Sequence, residues 1–158
     1  MSPTVTDRGL SPVVGVASLV AVTVVASAAV GAAMLPLAPP EPVPSAAIDV
    51  TATADGRVTL HHRGGAALDV AALTVQIRVD GEPLVHQPPV PFVGARGYRG
   101  APSGPFNAAS DGEWTAGERA GLRLAGTNAP ALTPGARLTV DLHVENGRVA
   151  RAETTVRD

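Results

Sequence analysis

Leu10-Ser-Pro-Val-Val-Gly-Val-Ala-Ser-Leu-Val-Ala-Val-Thr-Val-Val-Ala-Ser-Ala-Ala-Val-Gly-Ala-Ala-Met-Leu35 is the stretch from which the rest of this chain is read. No charged residue occurs between Arg8 and Glu41. About 20 consecutive apolar residues cross a bilayer as a helix, so this run spans with residues to spare. Residues 1–9 form a short polar leader, Met-Ser-Pro-Thr-Val-Thr-Asp-Arg-Gly. Residues 36–45 carry five of the prolines in a linker, and residues 46–158 are left for a single head domain. About 115 residues is an ordinary domain size, enough for one hydrophobic core and not for two.

Composition narrows the function classes. The net charge is −2, and every basic residue other than His is Arg. That balance carries no nucleic-acid footprint and no acidic tail. Cysteine is absent, which removes disulfides, thiolate metal sites and cysteine nucleophiles. A head exported to an oxidising compartment is then held by packing alone. Aromatic residues are few (Phe92, Tyr98, Phe106 and Trp114), so the core must be built from Val, Leu, Ile and Ala.

Three routes suit the apolar run. A secretory signal peptide needs a basic start, a 7–15-residue apolar core and a small-x-small cleavage site. Ala26-Ser27-Ala28 fits that site, whereas Asp7 cancels the charge of Arg8 at the start. A plain single-pass anchor needs only the length and internal hydrogen bonding of a helix. The third route rests on the junction Asp7-Arg8-Gly9-Leu10-Ser11-Pro12-Val13-Val14-Gly15-Val16. Pro12 in a first helical turn forfeits no hydrogen bond, and Ser11 is expected as the N-cap. Small residues recur four apart at Ala17/Ala21, Ser27/Gly31, Ala28/Ala32 and Ala29/Ala33. Such pairs let helices approach closely in lipid.

The junction and the Ala/Val-rich run behind it, together about 26 residues, resemble the start of archaeal type IV pilins with a class III signal peptide, especially the haloarchaeal ones. In that family a charged and a small residue precede the scissile bond, and an apolar residue followed by Ser-Pro-Val-(Val or Ile)-Gly comes after it. The resemblance implies cleavage by a prepilin peptidase between Gly9 and Leu10, with Arg8 before the cut. Ser11, Pro12, Val13, Val14 and Gly15 would then open the mature helix. It implies retention of the helix, a single-pass stage in the cytoplasmic membrane with the N-terminus inside, and later assembly with copies of itself or other pilins in a surface filament. The leader departs from the pattern in having a single basic residue. The Glu found five residues after the cut in many bacterial pilins is Val14 here, and the resembling archaeal branch lacks that Glu as well.

Pro36, Pro39, Pro40, Pro42 and Pro44 stop the helix and favour a stiff, extended spacer. From Ala46 the period switches to two. Ile48, Val50 and Ala52 alternate with polar residues, Asp55-Gly56 follows, and Val58, Leu60 and His62 alternate again. Asp-Gly between alternating runs predicts a two-residue hairpin. Leu73, Val75, Ile77 and Val79 form the cleanest strand pattern, ending at Asp80-Gly81. Ala120–Leu124 predicts a short strand and Leu138–Val144 a longer one. Asn146-Gly147 is expected to turn into a last strand whose Ala150, Ala152, Thr154 and Val156 face inward. About seven short strands without a second helix predict an antiparallel β-sandwich, immunoglobulin-like in kind. Residues 86–112 lack periodicity, and a loop of that length is expected to be functional or mobile.

Catalytic constellations are missing from the sequence: there is no G-x-S-x-G, phosphate loop or H-E-x-x-H. His61-His62 tempts as a metal pair, but neighbours on a strand point to opposite faces, so ordinary histidines are expected. Calcium-loop spacing and N-glycosylation sequons are also missing. The run Gly94–Gly104 holds Arg96, Tyr98 and Arg99; it reads either as a surface loop or as a contact for an anion, a surface or a neighbouring subunit. Trp114 reads as a core or sheet-edge anchor. The expectation is a structural pilin-like subunit with no enzymatic activity, no cofactor, no metal, no nucleic-acid partner and no small-molecule substrate. Its partners would be the membrane, a prepilin peptidase and other pilins, with the head exposed for adhesion. The alternative is an anchored or secreted β-sandwich binding domain with no filament role.

Overall fold

Alternation of apolar and polar residues over 46–156 folds as the two-residue period requires, into strands with one buried and one wet face. The computed structural model of the protein describes residues 10–34 and 41–158. The chain forms one apolar helix, α1 (Leu10–Met34), and an all-antiparallel β head. The two belong to separate compact units, the second beginning at Glu41. The last linker residues therefore travel with the head, where the Ser45 carbonyl accepts a hydrogen bond from the Ala66 amide at 2.9 Å.

The head strands are β1 (Ala46–Ala52), β2 (Arg57–Gly65), β3 (Leu68–Asp69), β4 (Thr74–Val79), β5 (Glu82–Pro83), β6 (Glu113–Trp114), β7 (Arg119–Arg123), β8 (Arg137–Val144) and β9 (Gly147–Thr155). One sheet has the order β1-β2-β7 and the other β5-β4-β8-β9, with β3 and β6 paired by themselves. The second strand of the first sheet pairs with β7 while β4 pairs with β8. That is the neighbour pattern of an immunoglobulin-like sandwich. Three of the nine strands are two residues long, which is why sequence periodicity suggested about seven.

Register places the predicted core residues on facing sides. Val50 lies opposite Leu60 and Leu60 opposite Ala120; Ile77 lies opposite Val140 and Val140 opposite Ala152. All of these are buried. Ala150 and Thr154 share the inner side but are only half-buried, and a register shift at Leu142/His143 buries Val149 beside them. No second α-helix occurs among the described residues; there are two short 3-10 turns, Val70–Ala72 and Gly104–Phe106.

Two turns correct the sequence reading. Asp55-Gly56 is not a two-residue hairpin. The Thr53 carbonyl accepts from the Gly56 amide and the Thr53 amide donates to the Arg57 carbonyl, giving a three-residue loop with Gly56 at φ 91°. Thr53 Oγ1 donates to Asp55 Oδ1, a local bond that favours the longer turn. Asn146-Gly147 is likewise displaced: Val144 pairs with Gly147, so Glu145 and Asn146 make the turn. Asp80-Gly81 does follow expectation, with φ of 50° and 85° in a two-residue loop between Val79 and Glu82.

The stretch 86–112 is irregular yet tied down. Asn128, buried, accepts from the His86 amide at 3.0 Å and donates to the carbonyls of His86 at 2.9 Å and Gly97 at 3.3 Å. Tyr98 Oη donates to the His86 carbonyl at 2.8 Å. Gln87 pairs its amide with both backbone groups of Ile77, at 2.7 and 2.9 Å, and so continues the β4 edge with a side chain. Phe92, Tyr98, Phe106 and Trp114 are all buried, with Phe106 and Trp114 edge to face at 5.1 Å.

Candidate functional site

Valine and alanine dominate α1, and no residue in its first or last turn carries charge. The segment Pro12–Ala33 is long and apolar enough to cross a membrane. Its apolar surface runs all the way round, with Val13, Leu19 and Val25 each more than 60% exposed. A helix that is hydrophobic on every side suits lipid or a bundle of other helices rather than one side of a soluble core.

The sequence-predicted residues fall on this helix as follows. Arg8 and Gly9, which flank the expected cut, lie outside the described residues. Leu10 is the first helical residue. Ser11 lies in the first described turn. Pro12 lies in the first turn, followed by Val13, Val14 and Gly15. At 3.6 residues per turn, Ala17, Ala21, Ser27, Ala28, Gly31 and Ala32 fall within a sector of about 140°. A methyl group added to Gly15 or Gly31 would meet nothing within 4 Å. A shallow apolar depression of about 360 Å³ is lined by Ala21, Val22, Val25, Ala26 and Ala29.

Sequence reasoning passed over two polar groups in the helix. Thr23 Oγ1 donates to the Leu19 carbonyl and Ser27 Oγ to the Thr23 carbonyl, each at 2.8 Å. Both hydroxyls are satisfied inside the helix, as a lipid environment demands. The signal was their i, i−4 spacing to backbone carbonyls, available at any helical Ser or Thr.

The head carries one buried ion cluster that the sequence did not reveal. Asp141 stands on the outer side of β8, yet its side chain is only 2% exposed. Arg151 grips it through Nε at 2.7 Å and Nη2 at 3.2 Å, and Arg78 Nη1 reaches it at 3.1 Å. The Arg151 bonds, helped by the charges of Arg78 and His143, hold this carboxyl below the usual carboxylate range against the opposing cost of burial. Asp141 is directly opposite Arg151 in register, whereas Arg78 is brought in from β4. Only strand pairing assembles the group.

His61 and His62 point to opposite sides of β2, as expected: His61 is half-exposed and His62 fully buried. His62 Nε2 lies 2.9 Å from the Ala66 carbonyl and its ring meets Trp114 edge-on at 5.6 Å. Among the described residues no group of three or more His, Asp or Glu side chains converges to hold a metal ion. Trp114 is fully buried between β3 and the Phe106 turn, a core anchor. In the Gly94–Gly104 run, Tyr98 is part of the core, where burial pushes its phenol well above the ordinary range. Arg96 and Arg99 are exposed.

Neither a scan of protein-family models nor a search of curated proteins finds a match to this chain.

Proposed function

We propose that this chain is a structural pilin-like subunit, trimmed by a prepilin peptidase between Gly9 and Leu10 and assembled through α1 into a surface filament. One observation carries the reading: the Arg8-Gly9-Leu10-Ser11-Pro12-Val13-Val14-Gly15 junction opens into a helix that is apolar on every side. A secretory signal would be discarded at such a junction's far end, whereas a pilin keeps the helix as its assembly element. The small-residue sector of α1 supports close helix–helix approach. Before assembly the helix holds the protein in the cytoplasmic membrane, N-terminus inside and head outside. After assembly the head is displayed at the cell surface for adhesion. In this reading the protein performs no catalysis and needs no cofactor; its partners are the membrane, the peptidase and other pilins.

The N-terminal residue of the mature protein tests the proposal, measured by terminal sequencing or intact mass. Leu10 is the expected result. Ala29 would mean cleavage after Ala26-Ser27-Ala28 and a secreted β-sandwich. An intact Met1 would mean a plain membrane anchor. Replacing Gly9 with a bulky residue is expected to stop processing, and unchanged processing with normal filaments would show that the junction is misassigned.

A further inference from the structure

The outer side of the first sheet contains a cationic groove with a glycine floor. Arg57 on β2 and Arg123 on β7 are directly opposite each other in register. Like charges across a strand pair repel, so the pairing calls for a counter-charge. Asp55 supplies one: its Oδ2 lies 3.1 Å from Arg123 Nη2 and 3.8 Å from Arg57 Nη2. Arg99, from the irregular segment, is held beside them by its backbone amide, which donates to the Arg123 carbonyl at 2.8 Å. Among the described residues Arg99 has no acidic partner. Two guanidinium groups thus share one carboxylate, and Arg99 lines the same depression as Asp55 and Arg123.

Two adjoining depressions meet at Arg123. One, of about 290 Å³, has Asp55, Arg99 and Arg123 on its walls. The other, of about 150 Å³, lies between Arg57, Arg123 and the hydroxyl-bearing Thr59 and Ser103, with Gly121 beneath. Glycine inside a strand often marks a close approach by a ligand or another chain. Here the approach is made by Ser103 of this chain, which exchanges two backbone hydrogen bonds with Gly121 at 2.8 and 3.1 Å, and a Cβ at Gly121 would stand 2.5 Å from Ser103 Oγ, so the glycine is what lets that hydroxyl sit over the strand. Neither Thr59 Oγ1 nor Ser103 Oγ has a hydrogen-bond partner among the described residues.

We infer that this groove binds a carboxylate-bearing polysaccharide, a polyuronate in class, with Arg57, Arg99 and Arg123 taking the carboxylates and Thr59 and Ser103 the sugar hydroxyls. Arginine's planar fork matches a carboxylate in two parallel bonds. Free hydroxyl acceptors and donors beside it suit a polyhydroxylated ring. Nucleic acid is the poorer match because all four aromatic side chains are buried, leaving no platform on which bases stack. The overall charge of −2 gives little long-range pull on any polyanion, so recognition must be local. The inference deepens the adhesive role proposed for the head by naming the class of ligand it would meet.

The test uses the full-length chain in neutral detergent, with a labelled oligogalacturonate as probe and dextran and inorganic polyphosphate as comparisons. The wild type is expected to bind oligogalacturonate and not dextran. R57Q/R99Q is expected to weaken binding by about tenfold or more, given the strength of charge-assisted bonds. R137Q/R148Q, which removes the same charge from the outer side of the other sheet, is expected to stay within about twofold. G121A keeps every charge and is expected to weaken binding by displacing the Ser103 hydroxyl. Equal losses in both double variants, polyphosphate binding as tightly as oligogalacturonate, or no binding above dextran would each overturn the inference. None of these outcomes bears on filament assembly, which the mature N-terminus decides separately.

Discussion

Asp141 is the residue on which the outer side of the larger sheet turns. A carboxylate with 2% exposure is costly unless paired, and here it accepts bonds from two guanidinium groups while Arg148 stands 4.0 Å away. The three arginine side chains remain 37–52% exposed, so solvent screens part of the attraction. Asp141→Asn is expected to cost about 2 kcal/mol at neutral pH, a loss typical of charged hydrogen bonds to a buried group. Urea unfolding followed by Trp114 fluorescence reads this directly, and a change under about 0.5 kcal/mol would reject it. The pH dependence has a definite sign. The folded carboxyl titrates below its ordinary value of 3.8, so its contribution is complete above that pH and is lost as acid approaches the folded value. Asp55 and Glu118 are lowered as well, by bonds led by Thr53 and Thr115 respectively, so Asp141→Asn is expected to reduce the acid slope and not abolish it.

Among the elements, α1 is set apart by having no polar side. An amphipathic helix would identify its partner by its stripe; this one identifies only its solvent. What remains informative is side-chain size. Ala28, Gly31 and Ala32 leave room for a second backbone, and a larger residue there keeps neighbouring helices apart. Ala28→Leu combined with Ala32→Leu is expected to weaken self-association in detergent by about fivefold or more, the scale of about 1 kcal/mol per packed site. Energy transfer between labelled copies measures it. Leucines at Val22 and Val30, which lie outside that sector, serve as controls, and equal weakening by both pairs would remove the small-residue sector from the account.

Across the head as a whole, Asn128 ties the irregular stretch 86–98 to the sheets. Its side chain makes three hydrogen bonds to backbone groups of His86 and Gly97, and a Cβ at Gly97 would stand 2.8 Å from its Nδ2. Removing it leaves buried backbone donors and acceptors unpaired. Asn128→Ala is therefore expected to destabilise the head by about 2–3 kcal/mol and to raise amide exchange across 86–98 ahead of global unfolding. Exchange that rises uniformly through β4 and β8 would mean that the stretch is no separate unit of stability.

How much of this was legible beforehand depends on the range of the interaction. Alternation along single strands placed Val50, Leu60, Ile77, Val140 and Ala152 in the core, because side-chain direction on a strand has a period of two. Absence of charge over a full bilayer's length marked α1 as a membrane-spanning candidate in the same local way. The sequence motif around Gly9 prompted the pilin reading, and its residues at 8 and 9 lie outside the described structure. Turn geometry was legible at Asp80-Gly81 but not at Asp55-Gly56, where the Thr53 hydroxyl competes for the turn. Irregular residues 86–112 gave no period because their order comes from Gln87, Tyr98 and Asn128 bonding to backbone groups distant in sequence. The Asp141 cluster and the Arg57–Arg99–Arg123 groove were invisible for the same reason. Local patterning thus determined the helix, the longer strands and their apolar sides; strand pairing alone decided which charges meet, because Coulomb and hydrogen-bond energies act over a few ångströms of space and take no account of distance along the chain.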